Sequence, residues 1–160
     1  MSSIIERVLF LKETPLFMEV EPSVLVHLAE RLEPRQVAPG ERLVQVGQRN
    51  EGIHIIQKGQ VEVTQARDTG AVRITMLGPR DAVGELSVLN DMPATADCTA
   101  KGQVETYYVP QALLAQLLHQ HPRLALGMIR VLSQRLMTTT QQVQRDAAPA
   151  ASAPDGCIQM

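Results

Sequence analysis

Aromatic residues are nearly missing: the 160 residues hold two Tyr, two Phe and no Trp. Four rings cannot build a base-stacking platform or an aromatic cage for a quaternary ammonium, so aliphatic side chains must carry the core. An excess of either charge is missing too. Fifteen Lys and Arg against seventeen Asp and Glu leave a formal net charge of −2, which provides no polycationic coat for nucleic acid or anionic lipid. Cysteine is limited to Cys98 and Cys157. With no secretion signal in front of them, the expectation is a reducing cytoplasm and no disulfide. No apolar run reaches the ~20 residues of a membrane span. The length suits one domain with one core.

What is present changes character along the chain. In residues 1–40, Ile4, Ile5, Val8, Leu9 and Leu11 recur at helical spacing, and Pro22, Val24, Leu25, Leu28, Ala29 and Leu32 repeat it. This predicts an N-terminal helical segment closed by Pro34 and Pro39-Gly40. Residues 41–109 instead alternate short β-branched runs with turn residues such as Gly47, Gly59, Asp68-Thr69-Gly70 and Gly78-Pro79. About eight short strands without helical crossovers predict an antiparallel barrel or sandwich, and Gly47 and Gly59 read as turn glycines with positive φ. Residues 110–144 return to helix, broken at Pro122, and residues 145–160 read as a disordered Ala- and Pro-rich tail.

One segment interrupts the strands. Val83-Gly84-Glu85-Leu86-Ser87-Val88-Leu89, followed by Asn90 to Ala96, is neither alternating nor long enough for a full helix. A glycine followed by one helical turn aims backbone N–H groups at a common point, where an anion such as phosphate would sit. Glu85 cannot bind that anion and suits a neighbouring hydroxyl. Equally, Glu85 could cap backbone donors in an inactive pocket.

In order, Leu43 to Gln48, Ile53 to Gly59, Met76 to Asp81, and Gly84 to Leu89 with Pro93 and Ala96 in step resemble the cyclic-nucleotide-binding domain family of Crp/Fnr-type sensors. The resemblance spans Phe10 to Gln142. It implies a mainly β fold with flanking helices: a jelly-roll or β-roll of the double-stranded β-helix type, a phosphate-binding cassette at 83–96, and closing helices serving as lid and dimer seam. The implied ligand-binding positions are Gly84, Glu85, Leu86, Ser87, Ala94, Thr95 and Ala96, with cAMP or cGMP as ligand. The family's cassette arginine, which pairs with the cyclic phosphate, is replaced here by Ala94. Losing one charge-assisted bond weakens binding by roughly ten- to a hundredfold. Arg73 and Arg80 are the cations that could stand in from elsewhere. Asn50 also departs from the family, which places a small residue there, and His54 interrupts an apolar run.

Neither catalysis nor a metal is expected. His119 and His121 lie two apart, the wrong spacing for a ligand pair on a helix, and His27 and His54 stand alone. No nucleophile, base and orienting acid occur in a recognisable order. Cys98 reads as a small core residue in the strand after the cassette. On the last helix Leu124, Met128, Val131, Leu132 and Arg135 share one side, while Leu126, Ile129 and Leu136 widen the apolar face and predict a homodimer. Only sixteen residues follow Gln144, so no helix-turn-helix and no direct DNA binding are expected. The function read from the sequence is a stand-alone regulatory module with weakened or lost cyclic-nucleotide binding, signalling through its lid helix to an unidentified protein effector. The alternative is a non-binding scaffold that keeps the fold for dimerisation or docking.

Overall fold

The computed structural model describes residues 2–147. Eight strands form two four-stranded antiparallel sheets, enclosed at one end by helices. The first sheet has the order β1 (Glu33–Val37), β8 (Val104–Pro110), β3 (Gly52–Lys58), β6 (Ala82–Val83). The second has the order β2 (Arg42–Val44), β7 (Asp97–Ala100), β4 (Val61–Arg67), β5 (Gly70–Leu77). Neighbours in sequence are seldom neighbours in a sheet, because the chain crosses repeatedly between the two layers of the roll. Gly47 and Gly59 turn with φ of 83° and 95°, as read from the sequence.

Strand β1 corrects the reading of residues 1–40 as helical. Four of its five residues are exposed and only Val37 is buried, so the alternation that marks a strand is absent. Its order comes from pairing with Val104 to Tyr108 of β8. Pro34 is tolerated because β1 is an edge strand.

Ahead of it, α1 (Ile4–Glu13) starts with a reciprocal capping box between Ser3 and Glu6. A short 3-10 turn, Pro15–Phe17, leads to α2 (Pro22–Ala29). After β8, α4 (Gln111–Gln120) runs into α5 (Pro122–Ala147). Helix α5 thus outruns its expected end at Gln144 and takes in residues 145–147 of the expected tail. The rest of that tail, with Cys157, lies outside the described residues.

The core is divided. One cluster joins the helices to the first sheet and includes Leu11, Phe17, Leu25, Ile53, Leu114, Leu124 and Met128. The other fills the roll with Val37, Val44, Ile56, Val61, Val83, Ala94, Cys98, Ala100 and Val104. Gly127 lets α5 seat on the N-terminal turn, since a Cβ there would stand 2.7 Å from Val20 Cγ2 and 3.0 Å from the Glu19 carbonyl oxygen. That close packing holds the first half of α5, where Leu124, Gly127, Met128 and Val131 are buried.

Candidate functional site

The cassette folds as a short helix, α3 (Glu85–Asn90), entered through Gly84 with φ 89°. A side chain at Gly84 would be strained by that φ and would meet Asn50 Nδ2 at 2.9 Å. Asp91, also left-handed with φ 52°, ends the helix. The loop after it is pinned twice to the β2–β3 turn: the Ala94 N–H donates to the Gln48 carbonyl, and the Gly47 N–H donates to the Ala94 carbonyl, both at 2.9 Å.

These elements enclose a cavity of about 250 Å³ inside the roll. All seven residues singled out in the sequence line it: Gly84, Glu85, Leu86, Ser87, Ala94, Thr95 and Ala96. The opposite wall is apolar, with Val44, Val63, Leu77 and Val83. Ala94 is buried against it. The Ser87 hydroxyl is already engaged, donating to the Met92 carbonyl at 2.5 Å, and Leu86 is largely exposed.

No cation lines this cavity among the described residues. Arg73 is held by Glu62 at 2.7 Å, and Arg80 by Glu13 at 2.7 Å, and neither lines the cavity. The cation that does approach is Arg135 of α5, whose Nη1 donates to Glu85 Oε1 at 3.4 Å. Burial pushes the Glu85 carboxyl above its ordinary range, and Arg135 partly opposes that. The signal for Arg135 was present in the sequence. It shares a helix face with the buried Leu124, Met128 and Val131, and a charge on an inward face requires an inward partner.

Cys98 lies buried on the cavity wall, its thiol pushed up to about 11 by burial, with Glu85 and Asp97 adding to the effect. Asn50 also faces the cavity, and its Nδ2 is buried without a hydrogen-bond partner among the described residues. His27 is not isolated: its ring stacks on His121 at 4.2 Å between centroids and 18° between planes. Among the described residues no three His, Cys, Asp or Glu gather in a metal-holding group. No helix there is long and apolar enough to cross a membrane.

Residues 34–121 match the family described as the cyclic nucleotide-binding domain. A CRP-like cAMP-activated global transcriptional regulator of Mycobacterium tuberculosis is 27% identical over 129 residues, covering 80% of this chain and 58% of the regulator. The chain therefore spans little more than half the length of that relative. Among solved structures, the N-terminal domain of a transcriptional regulator from Streptomyces coelicolor A3(2) aligns with a TM-score of 0.71 and 25% identity, covering 82% of this chain and 95% of that one. The regulatory subunit of a cAMP-independent protein kinase A from Trypanosoma brucei aligns at 0.69 with 28% identity, covering 84% of this chain and 49% of that one. A mutant of the same subunit with three substitutions, one of them introducing an arginine, is bound to cAMP in its A site.

Proposed function

The chain belongs to the cyclic nucleotide-binding domain family, and on that premise we propose a cytoplasmic regulatory module in which Ala94 has weakened the grip on cAMP and cGMP. The roll cavity then favours a neutral ligand presenting hydroxyl groups, such as the ribose of a nucleoside. The observation that carries this reading is a cavity with a carboxylate on its wall and no cation among the lining residues. Glu85 accepts hydrogen bonds from hydroxyls, whereas a cyclic phosphate entering beside it would bring like charge and meet no cation on the cavity wall, the nearby Arg135 being engaged with Glu85 itself. The Trypanosoma subunit offers a parallel: it belongs to a cAMP-independent protein kinase A, and a mutant that gains an arginine among three substitutions is seen with cAMP.

The signal would leave through α5. Arg135 and an incoming hydroxyl compete for the same carboxylate, so occupancy loosens the tie at 3.4 Å between α5 and the cassette. Two positions of one helix, biased by one ligand, are sufficient for a switch read by an effector protein.

Calorimetric titration of wild type, Ala94→Arg and Glu85→Gln with cAMP, cGMP and the parent nucleosides tests the reading. Ala94→Arg should tighten cAMP by roughly ten- to a hundredfold, and Glu85→Gln should weaken nucleoside binding. Wild-type binding of cAMP at micromolar level that Ala94→Arg does not improve would overturn it.

A second reading concerns assembly. Past its buried half, α5 exposes Leu136, Met137 and Val143, following the half-exposed Leu126 and Ile129. Ile129, Leu136 and Val143 recur every seven residues, the spacing that keeps an apolar seam facing a partner helix. This supports a homodimer through α5. Sedimentation should show wild-type dimers that Ile129→Glu with Leu136→Glu turns into monomers. A wild-type monomer at every accessible concentration sinks the idea.

A further inference from the structure

Outside the roll, between the first sheet and the β2–β3 turn, lies a second cavity of about 390 Å³ with overwhelmingly polar walls. Three guanidiniums face it: Arg35 from β1, Arg42 from β2 and Arg49 from the turn. His54 and Tyr108 form its floor, and Glu51 is the only carboxylate on its walls. The Arg35 guanidinium carbon lies over the Tyr108 ring, 3.6 Å from its centroid, a cation–π contact that helps hold the side chain at the cavity. Arg35 and Arg49 are partly balanced by Glu33 at 3.2 Å and Asp91 at 2.8 Å. Arg42 has no ion-pair partner among the described residues.

We propose that this cavity is a binding site for a small, free, multivalent oxyanion of the phosphate class, separate from the roll cavity. The cations supply the charge, and guanidinium forks match tetrahedral oxyanions through paired N–H donors. The concave shape and the chain's net charge of −2 disfavour a membrane or nucleic-acid surface, which would require a broad basic face. Burial, and after it the Arg35 charge, lower the His54 imidazole to about 4, and Glu41 partly opposes this. His54 is therefore neutral at physiological pH, its Nδ1 3.1 Å from the Thr106 hydroxyl, and it reports on any anion that arrives.

The test is titration of the full chain with inorganic pyrophosphate, and separately with citrate as a carboxylate control, followed by calorimetry and by the His54 ring signals in NMR. Pyrophosphate should bind, shift the His54 signals, raise the His54 pKa, and lose affinity at least tenfold in Arg42→Gln and further in Arg35→Gln with Arg42→Gln. Thermal melts establish that these variants stay folded, and Arg42→Lys should restore part of the affinity. Glu85→Gln should leave pyrophosphate binding unchanged, so this site can stand or fall apart from the roll cavity. No pyrophosphate binding, binding undiminished in the double arginine variant, or citrate binding as tight as pyrophosphate would each overturn the proposal.

Discussion

The two cavities are built from opposite materials, although one turn of chain walls both. The roll cavity is an apolar hollow holding one buried carboxylate and a buried thiol. The outer cavity is a polar bowl ringed by three arginines. In the first, burial raises both the Glu85 carboxyl and the Cys98 thiol above their ordinary values. In the second, a neighbouring charge joins burial and keeps His54 neutral. The contrast shows that one fold can hold no cation on the wall of one cavity and present three on the wall of another a few residues away.

Acid offers the strongest way to break this contrast. His54 sits near 4 in the folded chain against an ordinary 6.5. The unfolded chain takes up a proton as pH falls below 6.5, while the native state resists until near 4. The stability contributed by neutral His54 is thus complete above pH 6.5 and is lost as pH falls toward 4. It amounts to about 3 kcal/mol at most by linkage. Denaturant unfolding at pH 7 and pH 4 should show that loss in wild type and a clearly smaller one in His54→Gln. Equal losses would mean that the fold does not hold His54 neutral.

A smaller effect sharpens the other side. With its thiol near 11 instead of 9, Cys98 should be alkylated about a hundredfold more slowly than a free cysteine at pH 8. The measurement belongs in a Cys157→Ser background, so that only Cys98 reports. Alkylation of the folded protein at the free-thiol rate would show that the roll cavity is wet.

Most of the fold was legible because turn residues between short β-branched runs leave few architectures open, and the helical stretches carry apolar residues at helical spacing. The exception, β1, reads as Glu-Pro-Arg-Gln-Val, with a single buried residue and a proline. Its structure is imposed by β8, which no local pattern records. The cassette positions were legible as a unit, since α3 and its loop are contiguous. Arg135 lies 50 residues from Glu85, and only its place on the buried helix face hinted at a partner. The stacking of His27 on His121 had no signal at all, because the docking of α2 against the α4–α5 junction brings the two rings together. The outer cavity left a faint trace: Arg35, Arg42 and Arg49 recur at intervals of seven, a spacing without meaning until β1, β2 and the following turn wrap around Tyr108.

Asn50 lines both cavities and holds its buried Nδ2 without a partner. That nitrogen carries two N–H donors, so one carboxamide can answer an acceptor in either cavity. If an occupant of the roll turned this side chain, it would alter what an anion meets outside, and by reciprocity the outer occupant would then change affinity in the roll by the same factor. Through one carboxamide, the module would sense its ligand and the anion level of its surroundings as a single combined quantity.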